Sequence, residues 1–279
     1  MSLDGSPSGI PYCRFSCFLS LIFLLALLSL SHAGDLLIGD SVDPPLYQPH
    51  FYPFDNGEST EYWASWSGIP VASAKIRLAP LFIEGEKFYQ VKVRVRSWKY
   101  LNFIWKMRDS IESIFAAETF QTRRFVFRQR ENRRKVDTIA SFDRKSNKWV
   151  VERRKRSKVK RFEFVSRKTF DPISAVYLVR SLDFKVGDTI KMEVFGGKSR
   201  YLVTMDVVGR ERITTDAGVF DAYKIVPKVI NLSRSGYARR MRQAAVWISS
   251  DEKRMLLKIV SRVFIGSVTI EMVKRKVRE

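Results

Sequence analysis

The amino-acid sequence predicts a mainly β protein, an antiparallel meander of about ten strands with two short helices, and three observations carry that expectation. Residues 88–98, FYQVKVRVRSW, alternate strictly, with Val91, Val93 and Val95 on one face and Lys92, Arg94 and Arg96 on the other. That period of two is the pattern of a half-buried strand. Turn signals recur between such segments, at Ser67-Gly68, Glu131-Asn132, Asp143 to Asn147, Gly187-Asp188, Gly196-Gly197 and Asp216 to Gly218. Twenty phenylalanines, ten tyrosines and six tryptophans supply the material for a core between sheet faces.

The elements follow in order. Residues 18–30, FLSLIFLLALLSL, hold no charge, follow Arg14 and precede Ser31, His32 and Ala33. This is the layout of a secretory signal peptide with a small-x-small cleavage site. The run is shorter than the roughly 20 residues of a membrane-spanning helix. Cleavage after Ala33 is therefore expected, with a retained N-terminal membrane anchor as the alternative. Residues 34–57, with prolines at 44, 45, 49 and 53, read as an extended leader, and residues 58–279 as one β-rich domain without an internal linker. Within 98–108, Leu101, Ile104, Trp105 and Arg108 recur three or four apart, the spacing of a short amphipathic helix. Strand patterns resume from Ser110 to Arg167. A second helix is expected from Pro172, with Asp171 as its cap, Ile173, Val176, Tyr177, Arg180 and Ser181 on one face, and its body lying across the sheet. Further strands run to the C-terminus, with a turn at 250–253 between strands at 246–248 and 255–260.

Composition excludes most familiar chemistry. Cys13 and Cys17 lie within or before the apolar segment, so cleavage leaves no disulfide, thiol nucleophile or thiolate metal site. The two histidines are His32 and His50, one in the signal and one in the leader, so no histidine-centred triad or two-histidine zinc site is available to the domain. The sequences HExxH, GxSxG, GxxxxGK and GxGxxG do not occur, and the glycine pair before Lys198 reads as a hairpin turn. Seven carboxylates, Asp171, Asp183, Asp188, Asp206, Glu211, Asp216 and Asp221, leave an acid–base hypothesis open. Their ordinary readings are a helix cap for Asp171, turns for Asp188 and Asp216 and an arginine partner for Glu211. No catalytic residue, cofactor or metal is expected.

The net charge is +21, and residues 1–33 contribute one Asp and one Arg, so the exported domain keeps all of it. Such a field attracts polyanions or anionic membrane faces. Between Arg123 and Arg161 seventeen Lys and Arg face four Asp and Glu, a net of +13. Arg133, Arg134 and Lys135 form one cluster, and Arg153, Arg154, Lys155, Arg156, Lys158 and Lys160 a second. In a meander both would share strand ends or one solvated face, as a site for lipid headgroups or sugar phosphates; the plainer reading is a basic surface kept for solubility. A nucleic-acid platform is disfavoured, because Phe125, Phe127, Trp149, Phe162 and Phe164 sit at strand spacing and read as core.

Four texts, SGIPVASAKI at 67–76, FDPISAVYLVRSLDFKVGDTI at 170–190, the strand–turn–strand run at 194–227 and WISSDEKRMLLKIVSRVFIGSVTIEMV at 247–273, resemble the bacterial domain-of-unknown-function family 3108. The resemblance covers about residues 57–275 and is loosest over 98–165, where the basic clusters fall. It implies an exported, periplasmic protein of no established activity. It also implies a strongly curved antiparallel sheet, a half-barrel similar to the lipoprotein carriers of the envelope, with the helices packed on its concave side.

The function expected is non-catalytic binding of a lipid, lipoprotein or acylated envelope ligand in the concavity, with a basic rim meeting its headgroup or the membrane surface. Trp98, Leu101, Ile104, Trp105 and Tyr177 are the candidate lining of an apolar cavity; plain helix-on-sheet packing is the competing role for them. Two other classes are an enzyme acting on envelope glycan through paired carboxylates, and an adaptor binding an envelope partner through its basic face.

Overall fold

The computed structural model describes residues 44–54, 56–232, 244–263 and 265–277. The expected signal segment, its cleavage site and the first part of the leader lie outside the described residues. From Glu58 onward the chain forms fifteen strands in one sheet. The first eight are β1 (Glu58–Trp66), β2 (Ile69–Ile83), β3 (Glu86–Ser97), β4 (Arg108–Ala116), β5 (Thr122–Glu131), β6 (Arg134–Asp143), β7 (Lys148–Lys155) and β8 (Lys158–Val165). A two-residue strand β9 (Thr169–Phe170) leads into the helix α1 (Pro172–Arg180). The remainder are β10 (Thr189–Phe195), β11 (Arg200–Thr215), β12 (Gly218–Asn231), β13 (Ala244–Ser249), β14 (Leu256–Arg262) and β15 (Ser267–Val277).

The spatial order is β8 to β1 in descending sequence, then β15 down to β9. Two meanders therefore run outward from a central antiparallel pair, β1 with β15, in which Trp66 lies opposite Val268. The strand count exceeds the sequence expectation because two-residue turns separate long strands without breaking the alternation. Asn132 and Arg156, each with positive φ, are examples of such turns. Register shifts at Glu61/Tyr62, Ala64/Ser65, Ile114/Phe115, Val207/Gly209 and Trp247/Ile248 bend the sheet. It curls until its outer strands meet through side chains. Trp149 of β7 packs on Phe195 of β10 at 5.8 Å, and Phe164 of β8 lies 5.3 Å from the same ring. Among the described residues no hydrogen-bonded ladder joins β8 to β9, so this seam closes through side chains, chiefly the aromatic packing around Phe195.

The helix α1 occupies the concave side. Its N-cap is Asp171, whose carboxylate accepts from the backbone N–H groups of Ile173 and Ser174, and Pro172 sits where a missing N–H costs nothing. Every residue of α1 is buried except Val176, which is half-buried. A helix apolar on nearly all sides belongs in an interior. Its first end is held by Ser113 of β4 and Thr122 of β5, which donate to Asp171 at 2.6 and 2.8 Å. Its last end is held by Glu58 of β1, paired with Arg180. The helix thus crosses the barrel from one meander to the central pair.

The helix expected within residues 98–108 is absent. Trp98 is extended and a single 3₁₀ turn, Lys99–Leu101, follows it. Ser97 N–H donates to the Met107 carbonyl at 3.1 Å, closing the connection between β3 and β4. Nine helical residues would hold their ends about 13 Å apart, whereas paired strands lie about 4.8 Å apart. Hairpin closure overrides the apolar spacing.

Candidate functional site

Because successive strands are antiparallel, the β1–β2, β3–β4, β5–β6, β7–β8, β10–β11 and β14–β15 connections share one end of the barrel. This end gathers both basic clusters. Arg133 occupies the β5–β6 turn, with Arg134 and Lys135 opening β6; Val136 lies opposite Lys155, so the β7–β8 turn stands beside it. From Glu152 to Arg161 the β7–β8 hairpin forms a basic ribbon at the sheet edge, its inner strand still paired with β6 as far as Lys155. Arg154, Lys155, Arg156, Lys158, Val159, Lys160 and Arg161 are all exposed. Arg153 is half-buried and donates to Thr138 Oγ1 at 3.0 Å. Glu152 is the one carboxylate on the ribbon; it pairs with Arg161 at 2.9 Å and Arg154 at 3.3 Å, which holds its pKa below the usual carboxylate range. Seven cations, Arg153 to Arg156, Lys158, Lys160 and Arg161, thus face one acid. β8 is the edge strand of the sheet, where charges of this kind disfavour edge-to-edge pairing. Phe125, Phe127 and Trp149 are buried beneath this region, and Phe162 and Phe164 are half-buried against the core.

The concave side is largely filled. Phe54, Tyr89, Phe115, Phe120 and Tyr177 form one aromatic cluster, with Phe54 edge-on to Tyr177 at 4.8 Å. Two apolar clefts flank Val176, each of about 50 Å³. One is lined by β10–β14 residues including Met192, Val203 and Ile225, and the other by Tyr62, Val93, Ile111 and Tyr177. Small-molecule sites occupy roughly 300–1,000 Å³, so neither cleft houses an acyl chain. A wider depression of about 660 Å³ lies at the other end, between Phe51–Phe54 and the β13–β14 turn. It is an open surface recess of mixed character, with the Phe51 and Phe54 side on one flank and Ser250, Asp251, Glu252, Lys253 and Arg254 on the other.

The expected cavity lining is therefore not assembled. Trp98 packs edge-on against Trp63 at 5.6 Å, and Trp63 alternates with inward-facing Tyr62 and Ala64, which places both indoles on the convex face. Leu101 and Trp105 are half-buried against the core and Ile104 is exposed. Of the five residues, Tyr177 alone lines either of these two apolar clefts. The reason is the 3₁₀ turn: without a helix, the apolar residues of 98–105 point in several directions.

Two buried ionic groups brace the helix. Glu58 takes Arg180 and Arg275 as ion-pair partners, the latter at 3.3 Å, and accepts from Tyr177 Oη at 3.2 Å. Burial raises its pKa, but Arg180 first and then Arg275 outweigh burial and hold it below the usual range. No feature of the spacing in the sequence links Glu58 to Arg180 or Arg275. At the other end of α1, burial pushes the Asp171 carboxyl up, despite hydrogen bonds from Ser113, Thr122, Ser174 and Ile173. A raised carboxyl favours folding below the ordinary Asp value of about 3.9, and that contribution is lost as pH rises through the folded-state value. Asp171→Asn, which keeps a cap acceptor, is thus expected to gain on the parent in urea melts between pH 4 and pH 8. Asp171→Ala is expected to lose about 1–2 kcal/mol throughout. An Asn variant that falls behind as pH rises would contradict this account.

The other carboxylates are dispersed in structural roles. Asp188 accepts from Lys185 N–H in a turn, Asp206 pairs with Lys228 at 2.7 Å, and Glu211 accepts from Trp247 Nε1 at 2.6 Å beside Lys224 rather than meeting an arginine.

These features define a single curved, barrel-like β-sheet with an internal helix. The chain belongs to the family described as "Protein of unknown function (DUF3108)", whose model matches residues 61–273. Among curated proteins none matches the sequence. Among solved structures, the fold is similar to a β-barrel-like protein of the domain of unknown function DUF1849 from Brucella abortus. The TM-score is 0.57 at 11% identity, covering 81% of this chain and 99% of that one. Two more distant similarities are to a proposed lipoprotein from Parabacteroides distasonis and a proposed exported protein with a YmcC-like fold from Bacteroides fragilis. Their TM-scores are 0.40 and 0.38, both at 9% identity, covering 81% and 82% of this chain and 98% and 99% of theirs.

Proposed function

We propose that the protein is a non-catalytic component of the bacterial envelope, exported to the periplasm, that binds phosphate-bearing headgroups or sugar phosphates through the basic corner formed by β5–β8. The observation that supports this reading is the β7–β8 ribbon: seven cations on a hairpin whose outer half is exposed, beside Arg133 and Lys135, with one acid among them. Charge at this density draws anions by long-range attraction, and arginines add paired hydrogen bonds to phosphate oxygens. Carriage of a whole acyl chain inside the barrel is not part of the proposal, since α1 and the aromatic cluster fill that space. Dispersal of the carboxylates favours binding over glycan hydrolysis.

The test is charge reversal of exposed ribbon residues, Arg154→Glu, Arg156→Glu and Lys158→Glu together. Association with phosphatidylglycerol vesicles and with a soluble phosphorylated glycan is compared with that of the parent at several salt concentrations. Affinity for at least one probe is expected to fall more than ten-fold at low salt, and the salt dependence to flatten. Unchanged affinity for both probes would remove the ribbon from any binding role.

A further inference from the structure

The same end of the barrel carries a second feature, which charge alone does not explain. Its connections expose the large apolar side chains Phe103 at 85%, Ile104 at 61%, Ile69 at 57%, Ile265 at 56% and Tyr100 at 52%. They come from three connections far apart in sequence that the sheet order makes neighbours: β14–β15, β1–β2 and β3–β4. Hydrogen bonds tie these tips into one rim. Trp66 Nε1 donates to the Ile265 carbonyl at 2.8 Å, Ser67 N–H to the Ser267 carbonyl at 2.8 Å and Tyr100 Oη to the Pro70 carbonyl. The β3–β4 turn is joined in turn to the basic corner, where Lys106 N–H donates to Asn132 Oδ1 at 2.7 Å and Asn132 N–H to the Lys106 carbonyl at 2.8 Å.

The charges around the apolar tips are of one sign. Among the described residues, the connections at this end contain Lys99, Lys106, Arg133, Arg156 and Lys198 and no carboxylate. At the opposite end, Glu84, Glu118, Asp183 and Glu252 interleave with Lys and Arg. An exposed aromatic and aliphatic tip set among cations suits a surface that is anionic at its face and apolar a few ångströms deeper. A bilayer with anionic headgroups has that profile. A protein partner would also accept apolar tips. A cationic border free of acids, running from Lys99 to the ribbon, matches headgroup phosphates more closely.

We infer that this rim is a membrane-docking surface: Phe103 and Ile104, flanked by Ile69, Tyr100 and Ile265, enter the headgroup region of an anionic bilayer while Lys99, Lys106, Arg133 and the ribbon pair with its phosphates. The inference rests on the anion-binding reading above and names the bilayer as the source of the anion. The barrel axis then stands on the membrane with the mixed-charge end, the Asp171 cap and the open recess beside the β13–β14 turn directed away from it.

The experiment uses the full chain carrying Phe103→Trp, with vesicles of phosphatidylethanolamine and phosphatidylglycerol whose acyl chains are brominated near the headgroup. On bound vesicles the variant is expected to show quenching and a blue shift beyond those of the parent's own tryptophans. Quenching equal to the parent's on vesicles that bind the chain would overturn the inference, including the case in which the N-terminal apolar segment alone provides the attachment. A second measurement follows the Phe103→Asp, Ile104→Asp double variant. Its retention on the vesicles in high salt, where the ribbon is screened, is expected to fall at least ten-fold if the rim provides the salt-resistant hold. Binding that the ribbon reversal leaves intact while the introduced indole is quenched would refute the anion-binding reading and keep the docked rim. Binding lost on ribbon reversal, with the introduced indole unquenched in the otherwise unreversed chain, would do the opposite.

Discussion

Glu58→Ala is expected to destabilise the domain by about 3–5 kcal/mol, the range seen when one partner of a buried ion pair is removed. Glu58 is buried, and its two oxygens serve Arg180, Arg275 and Tyr177. Removing it leaves Arg180 enclosed, with only the carbonyls of Arg254 and Lys253 as acceptors and the Phe54 and Tyr177 rings against its guanidinium at 5.0 and 4.9 Å. For a domain of this size the loss corresponds to a fall in Tm of roughly 6–20 °C. The double variant Glu58→Ala, Arg180→Met is expected to recover a large part of it, because the uncompensated charge goes with the pair. A single-variant loss below about 1 kcal/mol in urea melts would show that the cluster is solvated in solution. The pH dependence has a definite sign. Glu58 ionises more readily in the fold than in the unfolded chain, so its contribution is present above the ordinary Glu value of about 4.3. It is lost as pH falls through the depressed folded value, and the parent's acid limb should flatten in the Ala variant.

Phe195→Ala is the second large effect, at about 3–5 kcal/mol for a fully enclosed phenylalanine. Phe195 meets Trp149, Phe162 and Phe164 at 5.8, 6.2 and 5.3 Å, and these contacts fasten β7 and β8 to the other half of the sheet. Arg200 adds a guanidinium over Phe164 at 5.1 Å. With no ladder across the seam, little else holds the ribbon's base. Amide exchange should therefore rise most over residues 148–165, and least in β1–β3, where each strand is paired on both sides. Exchange that rises uniformly would mean the seam is not a local fastening but part of one cooperative core.

The parts of the fold legible in the sequence are those set by local rules. Alternation exposed β3, because a strand with one wet face must separate valine from lysine and arginine. Asp171 followed by Pro172 marked the start of α1, because capping chemistry is confined to one turn. The 98–108 segment misled because periodicity records which residues are apolar and not the distance between the strands that the segment must connect. The aromatic residues of 125–164 were legible as core, and both basic clusters as strand-end charge. Their convergence on one end depended on antiparallel order, which local patterns support. Pairing of Glu58 with Arg180 and Arg275 depends on contacts 122 and 217 residues apart, beyond the reach of any spacing rule. The apolar rim was hidden for the same reason: Ile69, Phe103 and Ile265 look unrelated until the central pair sets β15 beside β1.

That central pair has a kinetic consequence. Strands β1 to β8 are joined by successive hairpins, and β10 to β15 likewise, so each half can zip locally; β1 with β15 alone must bring together segments about two hundred residues apart. Loop closure makes such a pairing slow and late. A chain emerging from its N-terminus would hold β1 with one open edge until β15 arrives, and Arg275 would reach Glu58 only then. The Arg180 end of α1 would stay incompletely locked until β15 has paired, and that strand would be the one that commits the whole barrel.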